Sequence, residues 1–422
     1  MSDPAAQSNA LHDDFRRYQQ AYFDGCKQRF APLDTAVAKL ECEDLIAGFS
    51  DCDFRLILDS SIGAHDLSAL DEAISAVHAG LCRDHPHWIH MLEHPPGFVL
   101  IWNELQDPGL YYPESRMWRA CLGDIKRFGQ YLDELPPDLW RAEDERFCLS
   151  KFADYYGGHQ PKLGPPINLR DREAEYAWHS RAMHYFAPAI QAAVCVIDHR
   201  MVRGKLRALR RGAEILDRDE IFTEILERIE HRYDMPDRSD GRALRRFEDR
   251  MVSALREIKP RVFEAATVVD IEADDPIETL RQRLSECPEE PLKVLFNGIR
   301  YARCRKGRLA FYLQAPPYYE VEHQIECDLA KLKNHTLTRG LRAYGQLRCG
   351  KADADLDDVT EVICPSLISR DDADLLRTAW ALVRADYPPG GAADVARRTV
   401  TIWGDVCLIL ETIFDDARKL QR

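Results

Sequence analysis

The chain has 422 residues, 45% of them hydrophobic and 30% charged, with a formal net charge of -14; this is too long for one ordinary core, predicts two or three domains, and excludes a disordered chain. The negative balance argues against a surface built to grip nucleic acid or anionic lipid and mildly favours a cationic partner. Thirteen cysteines without a C-x-x-C pair read as reduced thiols rather than a disulfide framework; with acids where a leader needs apolar residues and no long apolar run, they predict a cytoplasmic protein without a membrane span.

Leu11, Phe15, Tyr18, Tyr22 and Phe23 recur at helical spacing, so an opening helix is expected from Ala10 to about Lys39. "DLIAGFSDCDFRLIL" turns to strand character, and "DLSALDEAISAVHAGLCRDH" reads as an amphipathic helix with Asp66 as its N-cap. "GFVLIWNEL" is a second strand candidate. Residues 1–155 therefore predict an α/β domain, a mixed sheet with flanking helices. A loop rich in Gly and Pro, "YYGGHQPKLGPPINLRD", is the expected boundary before a helical region over 170–260. That region includes helices near Glu220 to Arg232 and Arg242 to Lys259. Residues 261–422 are expected to form an α+β region, because 293–314 read as a three-stranded meander turning at Asn297-Gly298 and Lys306-Gly307. The chain then returns to helix through "YEVEHQIECDLAKLK" and ends on "WGDVCLILETIFDDARKL".

Asp51 and Asp53 stand one residue apart at the mouth of the first strand. Strand alternation turns both to one face and Cys52 to the other. Two close carboxylates repel, and a hard dication such as Mg²⁺ is the simplest group to hold them together, since it takes one or two carboxylates with water and phosphate oxygens. A third acid normally completes such a site. Glu104, the one acid inside the second strand, is the expected third ligand or general base, with Asp107 and Asp59 as weaker candidates.

The stretch "DLIAGFSDCDFRLIL" resembles the D-L-x-x-G-[FY]-S-D-x-D-h-x-h-h-h segment of the nucleotidyltransferase superfamily with the DNA polymerase β-like fold, particularly its small-molecule branch that includes the aminoglycoside nucleotidyltransferases. The resemblance covers about residues 30 to 110. It implies a nucleotidyltransferase-like N-terminal domain in which Asp51 and Asp53 bind Mg²⁺, Ser50 and Gly48 shape the turn, and a nucleotidyl group passes from a nucleoside triphosphate to a hydroxyl of a small, possibly cationic molecule. The family also places a Gly-Ser pair ahead of the acids to cradle the triphosphate. Here Ala38 and Lys39 occupy those positions. Lys39 can reach a phosphate as a point charge. Loss of the pair also leaves open a protein that keeps this fold without transfer and binds a ligand or protein partner through the same cleft.

Three other groupings stand out. His85, His87, His90 and His94 crowd ten residues at a spacing able to bind zinc if helical, although Pro86 and Pro95 bracket them, and exposed or helix-ending histidines are the simpler reading. "HRMVRGKLRALRR" concentrates basic residues from His199 to Arg211, with Arg203 or Lys205 able to reach a phosphate; a solvated face paired with "EILDRDE" is the alternative. It lacks the interleaved aromatics of a nucleic-acid binder. Tyr318 and Tyr319 beside Glu320, Glu322 and Glu326 could take a cationic acceptor, or simply pack on the expected meander.

Overall fold

The computed structural model describes residues 4–38, 44–45, 50–62, 67–92, 98–136, 139–157, 178–217, 220–230, 241–314, 321–351, 353–363, 366–388 and 390–421. The elements needed to place the site are, in chain order, α1 (Pro4–Arg29), β1 (Leu33–Ala38), β2 (Phe54–Leu58), α2 (Leu67–Asp84), β3 (Phe98–Ile101), β4 (Arg119–Gly123), α3 (Ile125–Asp133), α4 (Ala187–Ile197), α5 (Lys205–Leu216), α6 (Gly241–Ala265), α7 (Pro291–Arg303), α8 (Arg305–Gln314) and α9 (Ala392–Leu420). The fold is mostly helical, with one small four-stranded sheet in the order β3-β2-β1-β4. β2 and β3 are parallel, with Arg55 opposite Phe98 and Leu58 opposite Ile101. The Asp59 amide donates to the Pro32 carbonyl at 2.8 Å, setting the end of β2 beside the start of β1, so the sheet is mixed.

The opening helix is present but shorter than its apolar pattern suggests. α1 ends at Arg29 because Pro32 lacks an amide donor and pushes its predecessor out of the α region. Thr35 and Val37 then extend as β1, a strand where helix was expected to about Lys39. β2 is buried along its whole length, as suits a strand with neighbours on both sides. α2 matches its predicted span, while Asp66 lies outside the described residues. The second predicted strand is cut short: β3 stops at Ile101, and Trp102–Leu105 form one helical turn. Glu104 is therefore on a helical turn rather than in a strand. Its carboxylate accepts the Ile101 amide at 3.1 Å and so starts that turn.

The expected meander at 293–314 is two helices, α7 and α8, meeting at Cys304. The glycines taken as turn formers are points of close approach. A Cβ on Gly298 would lie 2.8 Å from the carbonyl oxygen of His335, and one on Gly307 would lie 2.8 Å from that of Asp71. Each helix needs a missing side chain to lie against a neighbouring backbone.

Contacts divide the chain into two units that cut across the expected segments 1–155, 170–260 and 261–422. Unit 1 comprises residues 1–18, 38–53 and 112–288. Its centre is α4, "APAIQAAVCVI", buried on nearly every side, with the helix Ala142–Tyr155, α5 and α6 packed around it. Gly212 of α5 lets that helix approach, since a Cβ there would sit 2.7 Å from Ile190. The helices expected near 220–232 and 242–259 appear as Glu220–Glu230 and within α6. Unit 2 comprises residues 19–37, 54–111 and 289–422. It carries β1, β2 and β3, the helix α2, and the helices from α7 onward, with α9 running 29 residues against α8. Of the expected boundary loop, 155–171, residues 158–171 lie outside the described residues. Among the described residues no helix is long and apolar enough to cross a membrane.

Candidate functional site

Asp51 and Asp53 sit in the segment just before β2, in unit 1, half-buried, with Ser50 and Cys52 buried beside them. Exposure alternates along this segment, half-buried at the two acids and buried at Ser50 and Cys52. Lys39 and Gly48 lie outside the described residues. Asp44, which opens the family-like stretch, is buried and acts locally in unit 1. Its two oxygens accept the Lys205 and Leu206 amides, each at 3.0 Å, and so cap the N-terminus of α5.

The candidate third acids all lie in unit 2, and each is engaged. Glu104 is 3% exposed and is gripped by Arg303, whose Nη1 and Nη2 donate to its two oxygens at 2.6 Å each. Arg303 also donates from Nε to Glu411 at 2.7 Å. Burial alone would lower the Arg303 pKa, but the two carboxylates outweigh it and hold it well above the usual guanidinium value. Burial pushes the Glu411 carboxyl up, against the pull of Arg303. With three hydrogen bonds on Glu104 and a guanidinium at its face, this carboxylate does not suit a dication while Arg303 stays. Asp107 accepts the Gly109 amide at 2.9 Å and pairs with Arg418 at 3.0 Å. Asp59 accepts the Ser61 amide at 2.9 Å, closing a turn. Among the described residues no group of three or more His, Cys, Asp or Glu side chains is gathered to hold a metal ion.

His85 and His87 are exposed and lie against the Trp88 ring, with centroids 4.1 and 5.9 Å away; the side chains of His90 and His94 are outside the described residues. Tyr318, Tyr319 and Glu320 also fall outside them, while Glu322 is exposed and Glu326 half-buried on the helix Val321–Lys331. The basic run is divided in its duties. Arg211 pairs with Asp198 at 2.9 Å and Glu214 at 2.7 Å, as its acidic neighbours suggest, and Arg203 donates to the Arg116 carbonyl at 2.9 Å.

A second opportunity for chemistry, in unit 2, has no motif in the sequence. A cavity of about 780 Å³ opens between α2 and α8, with Ile89 and Phe311 supplying apolar wall. That volume suits a small organic ligand. Asp71 lines it, 6% exposed, and among the described residues its Oδ1 has no hydrogen-bond partner. Burial pushes its carboxyl up to about 8, with the Lys306 ammonium and the Gly307 backbone pulling the other way. About two and three turns further along α2, burial lowers His78 to about 4 and raises Cys82 to about 12, and the thiol rests 3.6 Å from the ring. At neutral pH the three are mainly uncharged, so the wall offers neutral donors and acceptors. Arg29, Arg83 and Glu72 are exposed where they line the cavity. A signal for Asp71 existed: Leu67, Leu70, Ile74 and Val77 mark the buried stripe of α2, and Asp71 falls on that stripe.

Comparison with protein-family models, with curated proteins and with solved structures finds no match.

Proposed function

We propose that this chain binds a small amine-bearing molecule in the Asp71 cavity, on a nucleotidyltransferase-like α/β layout whose expected third acid is committed to Arg303. The buried carboxyl of Asp71, a residue lining a cavity of about 780 Å³ and one whose Oδ1 lacks a hydrogen-bond partner among the described residues, carries the reading. A buried acceptor left unfilled costs about 1–3 kcal/mol, and a ligand N–H or ammonium recovers it. An ammonium also favours the ionised carboxylate, while Lys306, Arg29 and Arg83 suit an anionic group elsewhere on the same ligand.

The test is a thermal-shift and calorimetric screen of primary amines (ethylamine, putrescine, ethanolamine), free amino acids and the four nucleoside triphosphates. At least one amine raises the melting temperature of the wild type and leaves Asp71→Asn unmoved. Its affinity rises about tenfold per pH unit toward pH 8, as the cation displaces the proton held by Asp71. Equal binding to wild type and Asp71→Asn would overturn the reading.

A second reading rests on Asp51 and Asp53, whose burial alternation supports a shared, metal-directed face. It is Mg²⁺-dependent nucleotidyl transfer from a nucleoside triphosphate to a hydroxyl acceptor, with the third ligand drawn from elsewhere than Glu104. Pyrophosphate release that requires Mg²⁺ and disappears in Asp51→Asn supports it; no release across the four triphosphates and the amino-alcohol panel sinks it.

A further inference from the structure

In unit 1, a second cavity of about 500 Å³ is lined by Arg116, Arg200, Arg203 and Arg207, with Asp133 as the one acid on its walls among the described residues. Arg116 is the structural member: it is buried and reaches Asp144 at 3.3 Å and the Leu139 and Pro136 carbonyls. The other three are exposed, and among the described residues neither Arg200 nor Arg207 has a hydrogen bond or ion pair from its side chain. In a chain of net charge -14, carboxylates to neutralise such a cluster are plentiful, yet among the described residues these guanidinium groups share a concave wall with one acid.

The backbone that presents them is held firmly. The loop after α4 passes through His199 with a left-handed φ of 46°, a costly conformation for a residue with a side chain. The His199 ring stacks on Trp140 with centroids 5.8 Å apart, and its Nε2 lies 3.1 Å from the Ala265 carbonyl. The Val202 amide donates to the Cys195 sulfur at 3.2 Å, and Gln191 donates to the Val202 carbonyl at 2.7 Å. Arg200 and Arg203 therefore leave a fixed loop. Arg207 sits in the first turn of α5, the end of a helix where positive charge is unfavourable. Local stability does not account for its place there.

We infer that this cavity binds a compact phosphate-bearing anion through Arg200, Arg203 and Arg207. Guanidinium groups match phosphate oxygens two at a time, and a preformed loop lowers the ordering cost of the contact. The volume suits a small molecule rather than a polynucleotide, and the inference stands apart from the Asp71 cavity.

Phosphate, pyrophosphate and tripolyphosphate are titrated calorimetrically against the full chain at low salt, with ATP as a separate arm. The variants are Arg200→Gln/Arg207→Gln and, as a distant charge control, Arg397→Gln. Saturable binding of at least one polyphosphate to the wild type is expected, weakened about tenfold or more in the double variant and unchanged in the control. ATP binding more tightly than tripolyphosphate identifies a nucleotide as the source of the phosphate; equal binding identifies the free polyphosphate. No saturable binding, equal loss in the control, or tighter binding of a twelve-nucleotide RNA than of any polyphosphate overturns the inference. Both variants lie at exposed side chains, and unchanged melting temperatures establish that a loss of binding is local.

Discussion

Glu104 and Asp71 are two carboxylates of the same unit, both almost fully out of water, and they have opposite surroundings. Glu104 meets a guanidinium on both oxygens and a backbone amide besides. Asp71 keeps an oxygen with nothing to accept and faces a cavity. A buried charge that is fully met is part of the scaffold, whereas a buried polar group left unmet lowers stability and gives a reason to look for a ligand. The acid that chemistry expected to work is the one the fold has closed off.

Removing the partner is the strongest way to break this contrast. Arg303→Met strands Glu104 and Glu411 in the core and is expected to cost about 3–5 kcal/mol, read by denaturant unfolding. Gly307→Ala comes next: the new methyl presses on the Asp71 backbone and Oδ1, costing about 1–3 kcal/mol and reshaping the cavity without touching Arg303.

Asp71→Asn moves the other way, raising stability by about 1 kcal/mol or more at neutral pH, because the amide has no proton to lose on unfolding, while abolishing amine binding. Its pH signature follows from the folded carboxyl lying near 8 against an ordinary 3.8. The folded state holds the proton across that window and the unfolded state does not. Wild-type stability therefore falls as pH rises from about 4 to 8, and the gain from Asn grows over the same range. The effect that is smallest at neutral pH belongs to His78, buried neutral at about 4 against an ordinary 6.5. It contributes stability that is lost as pH falls from 6.5 to 4, at up to about 1.4 kcal/mol per unit, and His78→Gln flattens that part of the melting curve.

Local patterns were readable where the physics was local. The apolar stripe of α2, the apolar run of α4 and the β-rich "FRLIL" needed no partner to declare themselves. Misreadings came where a residue answers to a distant neighbour. Asn297-Gly298 carries the signature of a tight turn, yet Gly298 is small because the His335 backbone passes beside it. Glu104 looked like a free acid at a strand end because Arg303, 199 residues away, has no local signal. Asp71 was legible in principle, as a charge on an apolar stripe; only its cavity, made with α8, required coordinates.

The division of the chain has a consequence for how the molecule is made. The backbone passes from one unit to the other at residues 18/19, 37/38, 53/54, 111/112 and 288/289, so neither is a continuous piece. Unit 2 needs residues 289–422, which leave the ribosome long after β1, β2 and β3, before those strands can be covered. An emerging chain therefore holds its early strands open until those residues are made, the interval in which unpaired edges are exposed to aggregation and in which chaperones act.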